Sequence, residues 1–170
     1  RQVTSKTTIL RTGASLLYFA CLLFLLYVNY LNFATVYFTI QQDGTSLRST
    51  ESFLVGICHR MPSRSFWIFE VPLGLCGRCT GLYFSALVTA SFLPFTSVHR
   101  NKSFALFPIL ALVPFLIDSS LQHCSMYDAG NIWRFATGVL FGFGIISAVM
   151  HYYNQLTHQL TEGGTNAFVP

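Results

Sequence analysis

Residues 14–40, ASLLYFACLLFLLYVNYLNFATVYFTI, contain no charged residue. As a helix rising about 1.5 Å per residue this segment is about 40 Å long, enough to cross a hydrocarbon core about 30 Å thick with tilt. Arg1, Lys6 and Arg11 precede it, the charge pattern of a secretion signal. The run is too long for a signal's apolar core and no small-residue cleavage site follows, so it reads as an anchor. Composition agrees. Only 9% of the chain is charged and 52% is hydrophobic, with a mean hydropathy of +0.52; a soluble domain carries about 25% charged residues.

Three more apolar stretches follow, at 80–95, 104–121 and 132–152. The second and third spans are short and hold Pro94, Pro108 and Pro114. Prolines are tolerated in membrane helices where neighbours satisfy the freed carbonyls. The expected fold is all-α: one integral membrane domain over 1–170, a bundle of about four spans, with a polar loop at 41–79. The net charge of +4 is scattered rather than gathered into a stripe. That argues against nucleic acid as a partner and leaves the lipid bilayer as the environment. Lysines and arginines divide equally between the two sides, but Lys6 and Lys102 both fall on the side of the termini. The positive-inside rule then expects both termini in the cytoplasm.

In either orientation the alternation of spans gathers the unusual polar residues on one membrane face. The stretch CHRMPSRSFWIFEVPLGLCGRCTG, residues 58–81, supplies Cys58, His59, Arg60, Arg64, Cys76, Arg78 and Cys79. Asp118, Gln122, Asn131 and Arg134 join them from the ends of the third and fourth spans. Three thiols and an imidazole, two of the thiols in C-x-x-C spacing, are a ligand set for a Zn2+ ion or another divalent transition metal. A disulfide from Cys58 to one of the pair, or a C-x-x-C redox couple, uses the same residues. Cys124 is a spare thiol nearby.

Arg78 and Arg134 open helices, where a cation opposes the helix dipole unless an anion sits beside it. With Arg60 and Arg64, and with Gln122 and Asn131 as amide donors, they make an expected cradle for an anionic substrate. Snorkelling to lipid headgroups is the plainer alternative. Asp118 follows an apolar run, FPILALVPFLI. A carboxylate at that depth is paired or functional. Arg134 is its expected partner, and a catalytic acid or base its expected role if the protein is an enzyme. Gly138 and Gly142 lie at i+4 and i+8 from Arg134, a small-residue face for close helix packing. His151 and His158 read as surface residues.

Taken together, the Cys-His pair, Pro62-x-Arg64-Ser65-Phe66, Cys76-x-Arg78-Cys79-Thr80-Gly81, Asp118 with Gln122, and Asn131-x-x-Arg134-x-x-Thr137-Gly138 resemble the DUF2085 family of small membrane proteins. The resemblance covers roughly residues 55–145 and leaves the first span out. Its Cys-x-Arg-Cys here has Gly77 where Ala is commoner in the family. It implies a membrane location, expected to be a prokaryotic cytoplasmic membrane, and a residue set. It implies no activity.

Three functions are expected to compete. The first is a small membrane enzyme with a Zn-like ion on Cys58, His59, Cys76 and Cys79 and a phosphate-bearing or lipid-linked substrate on the arginines. The second is an accessory subunit partnered by other membrane proteins, its cluster clamping the loop. The third is a thiol–disulfide redox protein.

Overall fold

The computed structural model describes residues 2–92, 106–124 and 130–162. The chain is mostly helical. It runs as α1 (Gln2–Ile40), α2 (Gly44–Val55), a 3-10 turn at Pro62–Arg64, a short hairpin of β1 (Trp67–Ile68) and β2 (Val71–Pro72), α3 (Gly77–Phe92), α4 (Phe107–His123) and α5 (Asn131–Glu162). The hairpin is antiparallel, with Trp67 opposite Pro72 and Ile68 opposite Val71.

Among the described residues, two segments are long and apolar enough to cross a membrane, Thr12–Ile40 with 29 residues and Asn131–Tyr153 with 23. They coincide with the first and fourth expected spans. The other two form helices, but α3 has 16 residues and α4 has 17. At about 1.5 Å per residue each is about 25 Å long, short of the hydrocarbon thickness. The ends of those expected spans at 93–95 and 104–105, with Arg100 and Lys102, lie outside the described residues. Leu16, Leu17 and Leu23 on α1 are each about two-thirds exposed or more, at 67%, 74% and 66%. Such a face is costly in water and costs nothing against lipid tails.

The 41–79 segment is not the unsupported loop expected from its sequence. Asp43 caps α2, its carboxylate accepting from the Ser46 backbone N–H at 3.2 Å. Such a cap is worth about 1 kcal/mol. Thr50 and Leu54, one helical turn apart, are the buried residues of α2. Leu54 enters a cluster with Val28 and Leu31 of α1 and with Cys58 and Leu75. Two inward positions in twelve residues carry too little periodicity to stand out in a sequence, yet they fix the helix against α1.

Glycines set the α3–α5 contact. A methyl at Gly138 would overlap the Arg78 carbonyl, one at Gly81 the Phe135 carbonyl, and one at Gly142 the Leu82 carbonyl. The two backbones therefore touch, as Gly138 and Gly142 led us to expect. Phe115 of α4 stacks on Phe141 of α5 with ring centroids 4.2 Å apart. His151 is not a surface residue: it is 4% exposed and hydrogen-bonds Gln155 at 2.9 Å. The side chain of His158 lies outside those described.

Candidate functional site

Three thiols meet where α2, the hairpin and α3 converge. The backbone N–H of Cys58 continues α2 by donating to the Leu54 carbonyl at 2.9 Å. Cys76 and Cys79 enter from the first turn of α3, whose first added hydrogen bond runs from Thr80 N–H to the Cys76 carbonyl at 2.9 Å. The Sγ atoms of Cys58, Cys76 and Cys79 all lie within 4.8 Å of one another. All five cysteines are free thiols. Thiolates about 2.3 Å from one tetrahedral ion are separated by just under 4 Å, so the group fits a single metal.

Hydrogen bonds concentrate negative charge on Cys58. Its sulfur faces the thiols of Cys76 and Cys79 and accepts from the backbone N–H groups of Cys76 at 3.4 Å and Arg60 at 3.5 Å. These donors pull the Cys58 thiol well below its ordinary range. The thiol of Cys76, hydrogen-bonded to Cys58 and desolvated, is pushed up. A thiol held low beside a thiol held high is a pre-formed start for a metal site, since coordination needs the remaining protons to leave.

His59 is not part of this group. It is exposed, while Cys58 beside it is 5% exposed. Its imidazole lines the same cleft as the thiols, yet it is not among the ligand atoms that lie within 4.8 Å of one another. The expected four-ligand set is thus reduced to three protein ligands among the described residues. Arg60 is also committed elsewhere. With a positive φ of 47° it pairs with Glu51 at 2.8 Å and donates to the Gly74 carbonyl at 3.0 Å, bracing the chain on either side of the cluster.

Asp118 sits at the centre of a second, contiguous network. It is 3% exposed and forms an ion pair with Arg78, not the pair with Arg134 expected from the sequence. Gln122 donates to it at 2.8 Å and Thr137 at 3.3 Å. Arg134 joins through Gln122, donating to its Oε1 at 3.0 Å and to Asn131 Oδ1 at 2.9 Å. Asn131 in turn donates to the Ser65 carbonyl at 2.8 Å, tying the motif segment to the start of α5. Arg78 also donates to Ser119 Oγ at 3.2 Å and lies over the Phe115 ring, 5.5 Å from its centroid. The Arg78 pairing follows from the packing of both α3 and α4 on α5, which brings the α4 carboxylate within reach of the C-x-x-C arginine.

The two groups share a cleft of about 900 Å3 lined by Cys58, Cys76, Cys79, Arg64, Arg78 and Arg134. His59, Gln122 and Cys124 also line it, whereas Asp118, Arg60 and Asn131 do not. Asp118, read from sequence as an acid or base, is buried and paired with Arg78, which does line the cleft.

Sequence reasoning missed Asn32. It is fully buried on α1, accepts the Leu75 backbone N–H on Oδ1 at 2.7 Å, and donates to Thr80 Oγ1 at 3.3 Å. Its own carbonyl takes the Gly74 N–H at 3.2 Å. Gly74 has no room for a side chain, since a methyl there would meet Leu54 at 2.6 Å and Thr35 at 2.8 Å. Asn29 and Asn32, three residues apart inside an apolar span, were the available signal.

The chain matches a family of predicted membrane proteins, domain of unknown function 2085, over residues 58–148. The chain belongs to that family. Two archaeal relatives are similar to this DUF2085 chain, both named only as uncharacterised proteins. One, from Methanocaldococcus jannaschii, is 31% identical over 107 residues, covering 61% of this chain and 67% of the relative. The other, from Methanothermobacter thermautotrophicus, is 32% identical over 89 residues, covering 52% and 80%. No solved structure matches the chain. The DUF2085 match begins at Cys58 and so takes in the thiol group, Asp118 and Arg134, but not Asn32.

Proposed function

We propose that this protein is a four-span membrane enzyme holding a Zn2+-like ion at one membrane face, beside a cationic cleft for an anionic, phosphate-bearing or lipid-linked substrate. One observation carries the reading: three thiols close enough to share an ion, and three guanidinium groups, line the same cleft of about 900 Å3. That volume suits a small-molecule ligand. Soft thiolate donors favour zinc among common divalent ions. An ion held by three protein ligands keeps a fourth position for water or substrate, the arrangement of catalytic rather than structural sites. There it polarises a bound oxygen or lowers the pKa of bound water.

The protein's own residues supply the rest. Burial and hydrogen bonds fix Cys58, Asn32 holds the turn that carries Cys76, and Asp118 and Gln122 orient Arg78 and Arg134 toward the cleft. Short α3 and α4 complete a four-span bundle if they cross where their contact with α5 carries them, with the bilayer thinned locally. Both termini then lie on the face opposite the cleft, on the cytoplasmic side by the lysine bias.

The test is turnover by purified protein in lipid nanodiscs, with phosphomonoesters and lipid-linked diphosphates as substrates. Activity that requires metal and disappears in Cys79→Ser supports the enzyme reading. Metal bound without turnover of either class refutes it and favours the accessory-subunit alternative.

A further inference from the structure

The three arginines of the cleft are not equivalent. Arg78 is paired with Asp118, and Arg134 is held by Gln122 and Asn131. Arg64 is half-buried at the end of the 3-10 turn, and its guanidinium makes no hydrogen bond or ion pair with any described residue. Its position is nevertheless fixed. The Arg64 backbone N–H donates to Met61 at 2.9 Å, and its carbonyl lies 3.5 Å from where a side chain on Gly77 would begin. Gly77 separates Cys76 from Arg78, so Arg64 is packed against the C-x-x-C turn itself. Arg64 therefore presents an uncommitted guanidinium on a cleft wall shared with the thiol cluster, available to an anion. A second cue lies beside it: Arg78 Nε is buried without any partner.

The ligand count is incomplete in the same place. His59 lines the cleft but is outside the group of mutually close ligand atoms, leaving three sulfurs for an ion that takes four ligands. Cys124 lines the cleft but stands outside the group of mutually close sulfurs.

We propose that an oxyanion of phosphate type completes the ion's coordination, with one oxygen on the metal and another paired with Arg64. This rests on the metal reading above. Arg64 is then the residue that selects the ligand, while Arg78 and Arg134 are positioning residues held in place by Asp118 and Gln122. Phosphate chemistry suits the site because a tetrahedral dianion offers separate oxygens to a metal and to a planar guanidinium. Metal and anion must also assist one another's binding, because the coupling between two ligands is reciprocal.

The experiment uses the full chain loaded with cobalt(II), whose ligand-field absorption reports the fourth ligand. The probes are inorganic phosphate in detergent and phosphatidic acid in nanodiscs. Saturable movement of the bands is expected, with Arg64→Gln weakening it about ten- to hundredfold at unchanged cobalt content. Arg64→Lys should recover part of the loss, and Cys124→Ser should change nothing. A response to free phosphate alone assigns a soluble ligand, and a response to phosphatidic acid a lipid headgroup. Cobalt uptake with bands that neither probe moves, or that move equally in Arg64→Gln, overturns this inference and leaves the metal site standing. No cobalt uptake overturns both.

Discussion

Replacing Asn32 with leucine should weaken metal binding although Asn32 touches no metal ligand side chain. The substitution keeps approximate volume but removes the acceptor of the Leu75 N–H, a bond of 2.7 Å between fully buried residues. A buried donor left unpaired costs about 1–3 kcal/mol. The lost bond to Thr80 is long, at 3.3 Å, and adds little. Leu75 immediately precedes Cys76, so the penalty falls on the turn that the ion must hold. Fully transmitted, about 1–3 kcal/mol is a loss of about 5- to 150-fold in affinity. Competition with a chromophoric chelator measures it, and hydrogen exchange at Leu75 reports the local opening. Asn29→Leu is the control. Asn29 donates to the carbonyls of Leu25 at 2.8 Å and Tyr83 at 3.1 Å, away from the cysteine turn. It should lower thermal stability without changing metal affinity. Equal effects of the two variants on affinity would refute the positioning role of Asn32.

Asp118→Asn strands the Arg78 guanidinium and should cost about 3–5 kcal/mol by thermal or denaturant unfolding in micelles; Asp118→Asn with Arg78→Gln should recover part of it, whereas additive losses would break the pair. Gly138→Ala drives a methyl into the Arg78 carbonyl. It should destabilise by about 1–3 kcal/mol and lower metal content as α3 is pushed away, with Gly44→Ala, which has open space around it at the start of α2, as the neutral comparison. Metal affinity should fall as pH falls, because binding must expel the proton from Cys76, whose thiol is held up, while the Cys58 thiol is held low. Each proton displaced contributes about tenfold per pH unit, read by chelator competition across neutral pH.

The membrane character and the identity of the polar residues were legible because both are written locally. A long uncharged run and a C-x-x-C need no tertiary information. The pairing of those residues was not legible. Asp118 was matched with Arg134 because the loop between them is short, but the α3–α5 glycines decide the outcome by bringing Arg78 in first. His59 was counted as a ligand from adjacency to Cys58, but the sulfur is buried and the imidazole exposed, and the two do not fall into one ligand group. The support for 41–79 was missed because α2 is held by only two buried residues, and the turn at Gly74 and Leu75 by one asparagine on a distant helix. Asn32 lies 43 residues from the amide it satisfies, a separation no local pattern records.

The central claim is that Cys58, Cys76 and Cys79 hold one ion. The direct measurement is elemental analysis of the purified chain, with thiols counted before and after reduction. The account predicts one divalent ion per chain, absent from Cys79→Ser, and five thiols titrating without a reductant once the ion is chelated. A chain with no metal and two fewer free thiols, the missing pair being Cys58 with Cys76 or Cys79, would contradict it.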